Sequence, residues 1–254
     1  MRRALAVGAG TAALVWLRAI AYQAPPVPPV SGAAYHLEAI DPKTFSTRYT
    51  APQIALLEKL NRRDVEHLIR LKEIVVPDEW LGDELMYSPL PREWSWAAPF
   101  PKALVVHQPS QVFGAYAAGQ LVRWGPVSTG RQETATPPGL FNLNWKSKSR
   151  TSTDNDQWVL KWYFNFINSR GVSFHQFELP GVPQSHACVR LLERDAQWVY
   201  DWGEQWTLDA DRRNIVTPGT PVAILGTYDY RRPAPWLALE WWRAPIELPV
   251  DPKR

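Results

Sequence analysis

Hydrophobic spacing in the first third of the chain predicts a small module of strands and helices at 35–78. Apolar residues recur at helical intervals from Ile54 to Leu60. Thr50 and Gln53 stand before them at the spacing of a capping box, which marks a helix start. A second short helix follows, and one strand lies on each side of the helical pair. The pattern therefore predicts the order strand, helix, helix, strand.

Short apolar runs separated by turn residues predict β-structure in the second part of the chain, from 102 to 226. Ala118 and Gly119 form a predicted hairpin turn. The polar segment 146–156 is predicted to be a mobile loop, and 192–206 to be a helix. We therefore expect a protein that is mainly β with some α, built as a mixed β-sandwich with a helix near its end. Strands are predicted at 103–106, 111–117, 120–124, 125–130, 140–145, 158–167, 172–177 and within 215–225.

Proline and tryptophan mark the segments that connect or extend these two parts. The 254 residues contain 24 prolines and 14 tryptophans. Residues 22–34 are predicted to be an extended spacer, 79–101 a linker, and 227–254 a C-terminal extension. The extension either packs back on the sheet or forms a partner surface. With 45% hydrophobic residues, the chain has ample material for a core.

The first residues resemble a secretory signal at 1–21. Arg2 and Arg3 are followed by an apolar run at 4–17, which is too short to span a bilayer comfortably. Residues 19–21 form an A-x-A cleavage site. Cleavage there predicts a mature protein without an integral membrane span, secreted across the inner membrane to the periplasm or cell envelope. An uncleaved N-terminal anchor is the alternative.

Removal of this leader changes the charge balance of the protein. The whole chain has 28 basic and 25 acidic residues, and three of the arginines lie in the leader. The mature chain would have 25 of each, so its net charge would be zero. Binding to nucleic acid therefore has no support from charge.

Cys188 is the only cysteine in the chain, and two histidines lie near it in sequence. A thiolate is a strong nucleophile, but the thiol needs a neighbouring base or cation to form it. If 186–188 is a strand, His186 shares a face with Cys188. A return of the chain over 180–181 would bring His175 beside the thiol. Alternatively, Cys188 is a small buried hydrophobic residue.

Three sequence blocks resemble the L,D-transpeptidase family of the YkuD type. Residues 185–190 read Ser-His-Ala-Cys-Val-Arg with His175 upstream, 126–130 read Pro-Val-Ser-Thr-Gly, and 136–141 read Thr-Pro-Pro-Gly-Leu-Phe. The blocks are similar to those of the family and stand in the same order. The resemblance extends over about 102–225, and it implies a YkuD-like catalytic domain.

The resemblance implies a role for each residue of the motif. Cys188 would be the nucleophile and His175 the general base. His186 and Ser185 would orient the base or stabilise charge. The backbone N–H groups around Ala187 would stabilise an oxyanion.

Two further residues have open assignments. Arg190 would hold a substrate carboxylate or form a structural ion pair. Tyr163 would line the cleft or pack in the core.

His175, His186 and Cys188 together could bind zinc. The resemblance gives no reason for a metal, and neither a metal nor an organic cofactor is expected.

The implied substrate is a tetrapeptide stem of peptidoglycan, which would form a thioester on Cys188. Attack by the amine of a second stem would give a 3-3 cross-link. Water as acceptor would make the protein an L,D-carboxypeptidase, and a lysine of an envelope protein would make it an attachment enzyme. A non-catalytic peptidoglycan-binding protein is the alternative from another class.

The sequence departs from the family pattern at three places. Ala187 stands where the family has glycine, Gln176 stands where glycine often follows the first histidine, and the loop between His175 and Ser185 is shorter than usual. If the site needs a positive φ, alanine costs about 1 kcal/mol there.

The module at 35–78 faintly resembles a LysM domain, and a helical cap on the catalytic domain is the alternative.

Overall fold

The computed structural model describes residues 33–153, 155–243 and 245–253. The predicted leader, 1–21, and nearly all of the predicted spacer, 22–34, lie outside these residues. In the part of the chain that is described, no helix has the length and apolarity needed to cross a membrane.

The N-terminal module contains two strands and three helices. Thr50 and Gln53 form the predicted capping box, and Asp64 caps the last helix by accepting a hydrogen bond from the His67 N–H. The two strands pair antiparallel. The order differs from the prediction by one additional four-residue helix. The elements are β1 (Tyr35–Ala39), α1 (Phe45–Arg48), α2 (Ala51–Asn61), α3 (Val65–Leu68) and β2 (Glu73–Pro77).

The second part of the chain folds into one curled, mixed sheet of nine strands. The strand order is β6-β13-β3-β4-β5-β10-β9-β8-β7. Two neighbouring pairs, β13 with β3 and β9 with β10, are parallel, and the other pairs are antiparallel. The mainly-β prediction is confirmed. The strands are β3 (Ala103–His107), β4 (Val112–Ala117), β5 (Gln120–Ser128), β6 (Gly139–Asn142), β7 (Lys146–Thr151), β8 (Val159–Ile167), β9 (Val172–Gln176), β10 (Val189–Leu191) and β13 (Pro221–Leu225).

Shorter elements complete the fold around this sheet. The helix predicted at 192–206 is α4 (Glu193–Trp202), and it ends before Gly203. A separate two-stranded sheet pairs β11 (Thr207–Leu208) with β12 (Ile215–Thr217). Single 3-10 turns lie at Glu84–Tyr87, Ser95–Ala97, Gln108–Ser110, Gln132–Thr134, Asn168–Arg170, Pro235–Leu237 and Leu239–Arg243.

The prediction of a mobile loop at 146–156 is wrong, because most of this segment is the edge strand β7. Its side chains are mainly lysine, serine and arginine, so no apolar alternation was visible in the sequence. Polar and charged residues are typical of edge strands, where they prevent pairing with another chain. Lys146 also anchors the strand by donating a hydrogen bond to the Tyr200 carbonyl at 2.6 Å.

Strand β3 separates two hydrophobic cores. Leu104 and Val106 face the inner core, which the curled sheet forms with α4. Ala103 and Val105 face an outer core, to which the module and the C-terminal extension contribute. Burial on both faces explains why this run is apolar at every position. Trp236 of the extension is fully buried in the outer core, so the extension packs back on the sheet.

Candidate active site

The parallel pairing of β9 with β10 brings the predicted catalytic residues together. In this register His175 lies opposite Arg190. Ser173 and Cys188 each stand two residues before a member of this pair. The Ser173 Oγ lies 3.5 Å from the Cys188 Sγ. The predicted return of the chain over 180–181 therefore does bring β9, which carries His175, beside the thiol.

One open pocket contains most of the candidate residues. His175, Ser185, His186, Cys188 and Arg190 all line it. They come from the end of β9, the start of β10 and the turn between them. The other residues that line it are Ser152, Trp158, Leu160 and Phe177.

His175 is held as a neutral imidazole with one fixed tautomer. Its Nδ1 lies 3.0 Å from the Gln176 carbonyl oxygen. Because a carbonyl oxygen only accepts, Nδ1 carries the proton and Nε2 keeps its lone pair. The pKa of His175 is lowered from 6.5 to about 4, mainly by burial and to a smaller extent by the Arg190 charge, against the opposing effect of the Gln176 hydrogen bond. At neutral pH this side chain can therefore accept a proton through Nε2.

His186 reaches the pocket from the turn before β10, so the strand geometry that would place it on the same face as Cys188 is not the one present. Strand β10 begins only at Val189, and Ala187 between the histidine and the cysteine has a φ of 77°. The His186 ring packs edge-on against Trp158, with 5.5 Å between ring centroids. This contact places His186 on the pocket wall that faces Trp158.

Arg190 brings a positive charge to the thiol. Burial lowers its pKa, while the charges of Glu178 and Cys188 act in the opposite direction. Its guanidinium lies over the Phe177 ring at 4.5 Å from the centroid. A buried cation at this position favours the thiolate over the thiol.

Ser185 and Ala187 are held by the other two sequence blocks. The Ser185 hydroxyl donates to the Cys188 carbonyl. The Thr136 hydroxyl donates to the Ala187 carbonyl at 2.8 Å and accepts from the Gly130 N–H at 2.9 Å. Thus 126–130 and 136–141 do not line the pocket; they fix the backbone around Cys188.

Tyr163 does not line the pocket. Its side chain is 2% exposed, and its hydroxyl donates to the Gly171 carbonyl at 2.9 Å. It therefore packs in the sheet, which was the alternative role for this residue.

Ser173, which contacts the Cys188 thiol, and Trp158, which lines the pocket, were not singled out from the sequence. Ser173 stands two residues before His175, so the alternation of side chains along a strand could have placed it on the same face. Trp158 carries no comparable signal, because its contact with His186 joins two separate segments of the chain. In the described residues, no group of three histidine, cysteine, aspartate or glutamate side chains is arranged to hold a metal ion.

Comparison with known families agrees with this geometry. The model of the YkuD L,D-transpeptidase catalytic domain matches residues 101–224. This part of the chain belongs to that family, and its limits differ from the predicted 102–225 by one residue at each end.

Solved structures similar to this chain include several L,D-transpeptidases. One from Stackebrandtia nassauensis is 23% identical, with a TM-score of 0.40 over 50% of this chain and 56% of that chain. One from Mycobacterium tuberculosis H37Rv is 24% identical, with a TM-score of 0.39 over 49% and 57%. The chain thus spans little more than half the length of these structures. The comparison with curated proteins gave no match.

Proposed function

We propose that this protein is a cysteine L,D-transpeptidase that acts on peptidoglycan stem peptides through a thioester on Cys188. The observation that supports this most is the composition of one pocket. It combines the only cysteine, a neutral imidazole with its Nε2 lone pair available, and a buried arginine. These are the groups that a thiol acyl transfer needs.

In the first half of the reaction, His175 Nε2 takes the proton of the Cys188 thiol. The thiolate forms a bond to the carbonyl carbon of the third stem residue, and the bond to the terminal D-alanine breaks. The imidazolium gives its proton to the leaving amine. Arg190 favours the thiolate and binds the carboxylate of the donor.

The oxyanion of the tetrahedral intermediate needs donors from the nucleophile turn. Ala187 adopts the left-handed conformation in which consecutive backbone N–H groups can form an anion-binding concavity. Alanine in this conformation keeps the geometry that the family obtains with glycine. The departure at Ala187 therefore favours an active enzyme over a non-catalytic binding protein.

In the second half, an amine of another stem attacks the thioester. His175 takes a proton from this amine, the new amide forms, and the thiolate leaves. Attack by water at the same step would give an L,D-carboxypeptidase, and attack by a protein lysine would attach an envelope protein. We propose the stem amine as acceptor and export of the protein to the periplasm or cell envelope, where the stems are.

The test is the intact mass of the purified protein after incubation with a disaccharide-tetrapeptide, and separately with a carbapenem. We expect a covalent adduct on Cys188 in both cases, and none in a Cys188→Ala variant that melts like the wild type. A folded wild-type protein with a reduced thiol and no adduct would contradict the proposal. Analysis of the released products then distinguishes amine from water as acceptor.

A further inference from the structure

The loop between β9 and β10 is tied to the N-terminal module. The Leu179 N–H donates to Asp64 Oδ2 at 2.7 Å, and the Asp64 N–H donates to the Leu179 carbonyl at 3.1 Å. These two bonds form a reciprocal pair between residues that are 115 positions apart in the sequence. Leu179 itself is fully buried. The loop that separates the base from the nucleophile is therefore held by a different part of the chain.

A second contact continues this tie along the loop. Arg63 donates through Nη1 to the Pro180 carbonyl, and the two residues form an isolated β-bridge. Gly181 follows with a φ of 84°, and a Cβ at this position would lie 2.6 Å from the Arg63 Nε. A side chain at position 181 would therefore collide with the Arg63 side chain, so the contact of Arg63 with the loop depends on glycine at this position.

The other carboxylate oxygen of Asp64, Oδ1, makes contacts within the N-terminal module. Oδ1 accepts hydrogen bonds from the His67 N–H at 2.9 Å and lies 2.7 Å from the His67 Nδ1. One carboxylate thus caps α3 and holds the active-site loop at the same time. A hydrogen bond to a charged acceptor is stronger than one between neutral groups, so this tie is stronger than an ordinary loop contact.

The fixed part of the loop lies against the arginine of the site. The Phe177 N–H donates to the Leu191 carbonyl at 3.2 Å, so the loop is anchored to the sheet at Phe177 and to the module at Leu179. Between these anchors stands Glu178, whose charge acts on Arg190. The Phe177 ring lies under the Arg190 guanidinium. The position of the loop therefore determines the environment of Arg190.

We infer that Asp64 is a positioning residue for donor binding, and that the N-terminal module is a part of the active site. This inference rests on the proposed function, in which Arg190 binds the donor carboxylate. Asp64 holds Phe177 and Glu178 in one arrangement. These two residues in turn hold the Arg190 guanidinium at the position where the carboxylate of the donor binds. Preorganisation of this kind reduces the cost of ordering the site when substrate binds.

The test compares Asp64→Ser with Arg194→Gln in the full-length protein. Serine still caps α3, but its side chain is too short to reach the Leu179 N–H as well. Arg194 also joins the module to the domain, through Glu58 at 2.5 Å and the Ala55 carbonyl at 2.9 Å, but it does not touch the loop. It is a matched control for simple loosening of the module.

For Asp64→Ser we expect the KM for the tetrapeptide donor to rise about tenfold or more, as for loss of a hydrogen bond to a charged group. The maximal acylation rate and the rate of alkylation by iodoacetamide should change less than about threefold, because the thiol and its base stay in place. Arg194→Gln should leave all three quantities near the wild type. An equal rise in KM in both variants, or no rise in Asp64→Ser, would overturn the inference.

Hydrogen exchange of peptides that cover 177–185 gives a readout independent of catalysis. We expect the amide of Leu179 to exchange about tenfold faster or more in Asp64→Ser and at the wild-type rate in Arg194→Gln. If the wild type forms no adduct with the donor, the proposed function fails, while faster exchange still establishes the tie. Unchanged exchange in Asp64→Ser would show that Asp64 does not hold the loop.

Discussion

At the scale of single residues, the proposed chemistry depends on one imidazole, that of His175, which stays neutral because it is buried. His175 has the tautomer and the lone pair of a general base, whereas His186 packs edge-on against Trp158. Both histidines line the same pocket, so the sequence alone could not separate their roles by distance to Cys188. The hydrogen bond to Gln176 fixes the tautomer that the proposed base needs.

We expect His175→Ala to slow acylation of Cys188 by about a hundredfold or more, the usual effect of removing a general base. His186→Ala should slow it by less than about tenfold, because this ring shapes the pocket wall. Stopped-flow measurement of adduct formation with a carbapenem gives both rates. The opposite ranking would assign the base to His186.

The low pKa of His175 also predicts how stability depends on pH. Its pKa falls from 6.5 to about 4 on folding, so between these values the unfolded chain binds a proton that the folded chain does not. Stability should therefore fall as the pH is lowered from about 6.5 to about 4. His107, whose pKa is also lowered to about 4 by burial, acts in the same direction. Urea titrations of His175→Asn and of the wild type should differ in this slope; equal slopes would contradict the assignment.

At the scale of elements, the three family blocks form one hydrogen-bonded support for the turn that carries Cys188. Thr136 is 1% exposed and joins the Gly130 N–H to the Ala187 carbonyl. The Arg131 N–H donates to the Ser185 carbonyl at 2.9 Å. The blocks are thus linked because each satisfies the buried backbone groups of another, as buried polar groups require.

Thr136→Val replaces the hydroxyl by a methyl group of similar size and leaves two buried backbone groups without this partner. We expect a loss of about 2–3 kcal/mol in the free energy of unfolding and slower acylation of Cys188. Thr136→Ser keeps the hydroxyl and should restore most of both. Urea unfolding and adduct mass spectrometry measure the two effects. A valine variant as stable as the wild type would show that the hydroxyl is not needed.

At this scale, the sequence could predict features that depend on neighbouring residues, but not contacts between distant segments. The hairpin turn at 118–119 and the capping box at Thr50 follow from neighbouring residues, and both are confirmed. The approach of His175 to Cys188 could be predicted because the chain between them is short. The edge strand β7 was missed because its residues are all polar or charged, so no alternation of apolar and polar residues marks it as a strand. The contact of Asp64 with the loop was missed because it joins distant segments, for which no local pattern exists.

At the scale of the whole molecule, one buried arginine joins the module, the sheet and the C-terminal extension. Arg62 is fully buried, and its Nε donates to the Ser110 carbonyl at 3.0 Å. Its guanidinium lies 5.2–5.8 Å from the ring centroids of four tryptophans, one on β5 and three in the extension. Burial lowers the pKa of Arg62 to about 9, so the group remains charged at neutral pH. The high tryptophan content of the chain is therefore partly explained by this shared contact.

Arg62→Lys tests whether the three parts unfold as one unit. Lysine keeps the charge but loses the flat group that packs between indole rings and reaches Ser110. We expect a loss of about 2–4 kcal/mol, since a buried hydrogen-bonded cation loses its partners. Tryptophan fluorescence in urea should show one transition in the wild type and an earlier or split transition in the variant.

Arg48→Lys is the matched control, because Arg48 is 55% exposed and pairs with Glu38 at the surface. Exchange at such a pair should change stability by less than about 1 kcal/mol. If Arg62→Lys behaved like Arg48→Lys, the module and the extension would be held by their apolar contacts alone. If only the Arg62 variant gives an early transition, the arginine makes the folding of the catalytic domain depend on the N-terminal module and on the C-terminal extension. The contacts of Arg62 would then also stabilise the module that holds Asp64 against the active-site loop.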